Sequence, residues 1–201
     1  MKRSLILQLI LACAVCIVTN AARAQGTQTL MDSSTSIRSV WSFETATNSI
    51  KQNVGTAVGM YWGAVFNKTY LLGIGGDVNL SHTVTNYSYV HLLAQYMEQS
   101  DQLLHYGGEL SLGFGSVKDY EHPKTSLFDN FLNTSGTIFY LAEPQVFGEL
   151  NITPKSRLLV GLGYFFAFGL DAKNTNIAQS RVTNQDLSGV TLTVSLKLGT
   201  Y

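Results

Sequence analysis

Four histidines and four carboxylates are the residues here whose chemistry could matter: His82, His91, His105 and His122, with Glu44, Asp77, Glu109 and Glu149. Imidazole and carboxylate together can bind a divalent metal or pass a proton. Their spacing favours neither, because there is no H-x-x-x-H pair and no zinc-like cluster. Gly73-x-Gly75, Gly113-x-Gly115 and Gly161-x-Gly163 are not phosphate cradles, since none joins a strand to a helix. The expectation is an enzyme-free chain: no catalytic residue, no metal and no cofactor. What the ionisable residues do instead depends on the elements that hold them.

Those elements are strands. From about Ile37 onward the apolar residues recur with period two, the pattern of a strand with two unlike faces. The last is the cleanest, with Val190, Leu192, Val194, Leu196 and Leu198 against Thr191, Thr193, Ser195 and Lys197. Strands are expected near 37–48, 54–66, 70–81, 87–98, 103–117, 137–152, 156–170 and 188–201. The segment 158–170 is apolar enough for a helix, but as a helix it would rise only about 20 Å, too short to span a membrane. Its glycines Gly161, Gly163 and Gly169 share one strand parity, so it is read as a strand.

Before the strands, Met1 to Ala24 has the parts of a secretory signal peptide. Lys2 and Arg3 precede an apolar core from Leu5 to Val18, and Ala22-Arg23-Ala24 offers a small-x-small cleavage site. A lipoprotein cut at Cys13 is the alternative. Residues 25–36, rich in Thr, Ser and Gln, read as a flexible lead-in, leaving 37–201 for the folded domain. Cleavage would remove both cysteines, Cys13 and Cys16, and with them any thiol chemistry. The whole chain carries 13 Lys+Arg against 13 Asp+Glu; losing Lys2, Arg3 and Arg23 leaves a net charge near −3, so nothing attracts nucleic acid.

Connection lengths then alternate. The turns at 66–70, 98–103 and 152–156 are tight, whereas 117–136 and 170–188 are long and polar. An even strand count, with short turns at one end and long loops at the other, is the pattern of an outer-membrane barrel. Composition agrees: charged residues make up 13% of the chain, against about 25% in a soluble domain. The expected fold is all-β, an eight-stranded antiparallel up-and-down transmembrane β-barrel after a cleaved signal peptide.

Which face meets lipid is read from the aromatics. On the apolar parity, Trp62, Phe66, Tyr70 and Tyr96 fall beside the tight turns, and Phe114, Tyr140 and Phe168 beside the long loops. Two aromatic girdles around an aliphatic band are expected of a membrane barrel and not of a lipocalin core. Glu44, Asp77, His91, Glu109, Glu149 and Lys197 have the opposite parity and are expected to form a polar network in the lumen. Eight strands leave an interior just wide enough for side chains to fill, which favours a packed plug over a pore.

The sequence also resembles the small outer-membrane β-barrel proteins of the Bacteroidota. The resemblance is carried by Leu112-Gly113-Phe114-Gly115, by Glu143-Pro144 leading to Glu149-Leu150-Asn151-Ile152-Thr153, by Leu159-Val160-Gly161-Leu162-Gly163-Tyr164, by Asp186-Leu187-Ser188-Gly189 and by Leu196-Lys197-Leu198-Gly199-Thr200-Tyr201. It implies a barrel in the cell outer membrane and no catalytic residues. The terminal aromatic resembles the signal read by the barrel assembly machinery, although Tyr201 falls out of phase with Leu198.

The functional expectation is a structural or interaction barrel, embedded in outer-membrane lipid and presenting loops 117–136 and 170–188 to an unspecified extracellular partner. A narrow cation-leaning channel and a soluble periplasmic lipocalin-like ligand-binding barrel are the alternatives. Two local expectations can be checked in the fold. Pro144 should force a bulge or kink, because it lacks a ladder donor. A turn centred on Ser100 should set His91 opposite Glu109 and Gln95 opposite His105.

Overall fold

The computed structural model describes residues 35–50, 53–80, 85–119, 137–170 and 182–201. The proposed signal segment 1–24, nearly all of the lead-in 25–36, His82, His122 and most of the two long loops lie outside them. Eight strands are present: β1 (Ile37–Ile50), β2 (Asn53–Phe66), β3 (Tyr70–Asn79), β4 (Thr85–Glu98), β5 (Leu104–Asp119), β6 (Thr137–Thr153), β7 (Ser156–Phe168) and β8 (Gly189–Gly199). Each pairs antiparallel with the next, and β8 returns to β1 to close the barrel. The fold is the eight-stranded antiparallel barrel that the period-two pattern predicts.

Closure follows from the alternation. Outward residues are even-numbered in β2 to β8 and odd-numbered in β1, and they are the large apolar ones: Trp41 and Phe43, Met60 and Trp62, Leu72 and Ile74, through to Leu196 and Leu198. A sheet closed on itself has no edge strand to leave unpaired backbone groups. Two clusters of apolar side chains line the lumen, the second interleaved with polar residues. Tyr87, Phe139 and Phe165 pack at the loop end, while Val40, Val65, Leu71 and Met97 pack toward the turn end.

The turns set the register. In the first, Asn67 and Lys68 both take left-handed φ angles of 51° and 60°, a conformation that Asn tolerates better than most residues. Asn67 also ties the start of β1 to this turn: its N–H donates to the Ser36 carbonyl at 3.0 Å, and its Oδ1 accepts from the Ser36 N–H at 3.1 Å. In the second turn Gln99 takes a φ of 53°, and the Gln102 N–H donates to the Gln99 carbonyl at 2.9 Å.

That longer second turn corrects one expectation. It carries the hairpin axis two residues further than a turn centred on Ser100, so Gln95 faces Glu109 and His91 faces Gly113. The expected pairs His91–Glu109 and Gln95–His105 are not formed. Because the shift moves each partner by an even number of residues, all four side chains keep their lumen parity.

Of the bulge or kink expected at Pro144, no bulge forms, although the ladder is interrupted there. Pro144 lies on the outer face opposite Leu110, in unbroken register with β5. Toward β7 the pairs on either side, Ala142 with Phe166 and Gln145 with Gly163, share one register, and pairing lapses only across Glu143 and Pro144. The missing donor is absorbed by a gap in the ladder rather than by an extra residue. The register of β6 and β7 shifts instead between Asn151 and Thr153, beside the tight turn.

Candidate functional site

The lumen network is built around Glu149, which is fully buried. Lys197 Nζ donates to its Oε2 at 2.6 Å, Arg157 Nη1 donates to its Oε1 at 3.2 Å, and His105 Nε2 lies 3.6 Å from that same oxygen. Lys197 also donates to Gln95 Oε1 at 2.7 Å, and the Gln95 amide donates onward to Glu109 and, at 3.3 Å, to the Tyr61 hydroxyl. Ser111 completes the Glu109 environment, donating to Oε1 at 3.0 Å. Of the six lumen residues singled out from sequence, Glu149 and Lys197 pair directly and Glu109 joins them through Gln95. Glu44, Asp77 and His91 lie elsewhere.

Arg157 is a member of this network that the sequence reading missed. Its odd position in β7 placed it inside, which was the available signal, but it stands next to a turn where strand phase is easily lost. Its Nη2 donates to the Ser100 carbonyl at 3.2 Å, and its guanidinium lies 3.6 Å from the centre of the Tyr201 ring. The out-of-phase Tyr201 therefore turns in under Arg157 at the turn end. Burial and the nearby Glu149 charge push its hydroxyl pKa above the ordinary value.

Glu44, Asp77 and His91 gather nearer the loop end. Glu44, Gly59 and Asp77 occupy one row across β1, β2 and β3, and Gly75 and His91 occupy the next across β3 and β4. With glycine between them, the two carboxylates can approach across β2. A Cβ on Gly75 would stand 2.6 Å from His91 Nε2, so this glycine makes room for the ring. His91 Nδ1 lies 3.3 Å from Asp77 Oδ2. Glu143, another lumen acid, accepts from Thr191 Oγ1 at 2.6 Å.

At the loop end, the described residues before β8 pack against the barrel. The short helix α1 (Asn184–Leu187) begins with a capping box in which Thr183 and Asp186 bond each other's backbone. Val182 before it and Leu187 at its end bury in one cluster with Phe139 and Phe165. The Ser188 hydroxyl accepts from the Ala167 N–H at 2.9 Å, and Asn184 Oδ1 accepts from the Leu170 N–H at 2.9 Å. The last part of loop 170–188 is therefore packed onto the barrel instead of standing free.

No family model and no curated protein sequence matches this chain. Solved structures do. The N-terminal β-barrel domain of Pseudomonas aeruginosa OprF aligns with a TM-score of 0.56 and 8% identity, covering 81% of this chain and 96% of that one. The chain has that barrel's fold. Neisserial surface protein A aligns with a TM-score of 0.48 and 15% identity over 82% of this chain and 97% of its own.

The outer wall completes the description. Trp62, Tyr70 and Tyr96 are exposed toward the turn end and Phe66 is half-buried there, with the Tyr70 and Tyr96 rings 5.6 Å apart. Phe114, Tyr140 and Phe168 are exposed toward the loop end. Trp41, Tyr106 and Tyr164, not singled out from sequence, are exposed on the same outer wall, and Trp41 pairs with Trp62. Between the two groups the wall is aliphatic, with Leu72, Ile74, Leu92, Leu112, Leu162 and Leu192 all outward.

Proposed function

We propose that this chain is an integral protein of the outer membrane with a structural or interaction role and no catalytic one. A rigid barrel would hold loops 117–136 and 170–188 at the cell exterior. One observation carries the reading: the wall is apolar on the outside while Glu149, Lys197, Asp77 and His91 are buried inside. A soluble barrel has the opposite arrangement, because an apolar patch far beyond a few hundred Å² is not left in water. The lipocalin-like alternative loses on that ground. The channel alternative is the weaker one because buried side chains fill the lumen, Phe139 and Phe165 toward the loop end and the Glu149–Lys197–Arg157 group toward the turn end.

On this reading residues 1–24 are the export signal, and the assembly machinery of the outer membrane engages β8. The Bacteroidota-type assignment rests on the sequence motifs. The extracellular partner meets the long loops, of which Val182 to Ser188 forms the fixed base.

Cell fractionation with a gel run before and after boiling tests the proposal. The expected result is recovery with the outer membrane and a band that moves on boiling. A periplasmic protein whose mobility is unchanged by heat overturns it.

A further inference from the structure

In the half of the lumen around Glu44, Asp77 and His91, two carboxylates share a single imidazole, whose Nδ1 lies 3.3 Å from Asp77 Oδ2. Each of these residues offers one ligand atom, and the three atoms lie within 4.8 Å of one another. Asp77 and His91 are more than nine-tenths buried, yet neither Asp77 oxygen nor His91 Nδ1 has a hydrogen-bond partner among the described residues. Lys197 and Arg157, the cations buried in the same lumen, both bond Glu149. No described lysine or arginine pairs with Glu44 or Asp77. Buried carboxylates are normally paired, protonated or bound to a metal.

The geometry of the three side chains fits the third of these. Gly59 and Gly75 on neighbouring strands leave the spaces that the Asp77 carboxylate and the His91 ring occupy. The separation of His91 Nδ1 and Asp77 Oδ2, 3.3 Å, is also the spacing of two ligands around a tetrahedral zinc ion with bonds of roughly 2.0–2.1 Å. Glu44 offers a ligand atom within 4.8 Å of the other two.

We propose that Glu44, Asp77 and His91 form a buried site for one divalent transition-metal ion of the zinc class, pinning β1, β3 and β4 together. Two carboxylates balance the charge of such an ion. The imidazole nitrogen favours Zn²⁺, Mn²⁺ or Fe²⁺ over the all-oxygen preference of Mg²⁺ and Ca²⁺. Because Asp77 and His91 are buried among packed lumen side chains, a bound ion is expected to exchange slowly.

The test uses the untagged chain, unfolded in chelator and refolded in detergent with zinc sulfate. After gel filtration, zinc is counted by elemental mass spectrometry, and folding is read from the heat-dependent gel shift. The wild type is expected to retain one zinc per chain. His91→Asn and Asp77→Asn are expected to fold and to bind zinc at least about tenfold more weakly, while His105→Gln retains it. A zinc-free wild type overturns the proposal and leaves the acids protonated. Stoichiometric zinc in folded His91→Asn also overturns it, placing the ion on other residues such as His82 and His122. Should both ligand variants fail to fold, cobalt-refolded wild type decides: strong visible bands of four-coordinate cobalt support the site, and their absence refutes it.

Discussion

Gly59 stands opposite Asp77 across β2 and β3, and there is no room between them for a methyl group. A Cβ on Gly59 would overlap the Asp77 carboxylate and lie 2.9 Å from the Gly76 carbonyl oxygen. Gly59→Ala is therefore expected to destabilise the barrel by about 1–3 kcal/mol, the usual cost of overpacking. Gly148→Ala is the control, since a Cβ there meets nothing within 4 Å. It should be neutral or stabilising by up to about 1 kcal/mol. Urea unfolding midpoints at unchanged m-value distinguish the two.

Glu149 and its cations are expected to respond unequally. Lys197→Met leaves Arg157 on the Glu149 carboxylate, whereas Glu149→Gln strands Lys197 and Arg157 together. Breaking a buried pair costs about 3–5 kcal/mol. Lys197→Met should fall at the lower end of that range and Glu149→Gln at or above the upper end. Equilibrium unfolding of both variants at neutral pH checks the order, and the reverse order contradicts the network described here.

The outer wall should be sensitive to charge by depth. Leu92 is 64% exposed in the middle of β4, and Leu103 is 70% exposed beside the turn. In a lipid-embedded barrel Leu92→Arg should cost about 2–4 kcal/mol, and Leu103→Arg about 0–1. Unfolding from lipid vesicles provides the measurement. Equal effects at the two depths contradict a membrane-spanning wall.

The turns carry a small pH dependence. Lys68 Nζ lies 2.8 Å from Asp101 Oδ1, and this hydrogen bond is the main cause that holds the Asp101 carboxyl below its ordinary range. A carboxyl depressed in the folded state stabilises it above the unfolded pKa and loses that contribution as pH falls through the folded value. Both side chains are exposed, so the pair is worth about 0.2–1 kcal/mol and is screened by salt. Lys68→Ala should raise the Asp101 titration midpoint, followed by NMR, and should change stability at pH 7 but not at pH 2.

Much of the barrel was legible along the chain. Alternation is local to a strand, so the number of strands, their bounds to within a few residues, and the face of each side chain follow from residue types taken two apart. Glu44, Asp77, Glu109, Glu149 and Lys197 all have the parity expected of them. So has Arg157, which was missed only because it adjoins a turn. The glycines of the lumen face could likewise be placed on that face, although not beside the particular groups they make room for.

Partners across the barrel were not legible, because neighbours on adjacent strands depend on where each turn places the hairpin axis. One left-handed residue, Gln99, and a longer turn moved Glu109 from His91 to Gln95. The approach of Asp77 to His91, and of Lys197 on β8 to Glu149 on β6, reflects strand stagger and closure. So does the packing of Val182 and Leu187 with Phe139 and Phe165. The sequence by itself determined which side chains point into the barrel and which point out of it, since that needs only a period of two. Which of the inside groups meet was decided by the tertiary structure alone, because register is a property of the closed sheet and not of any one strand.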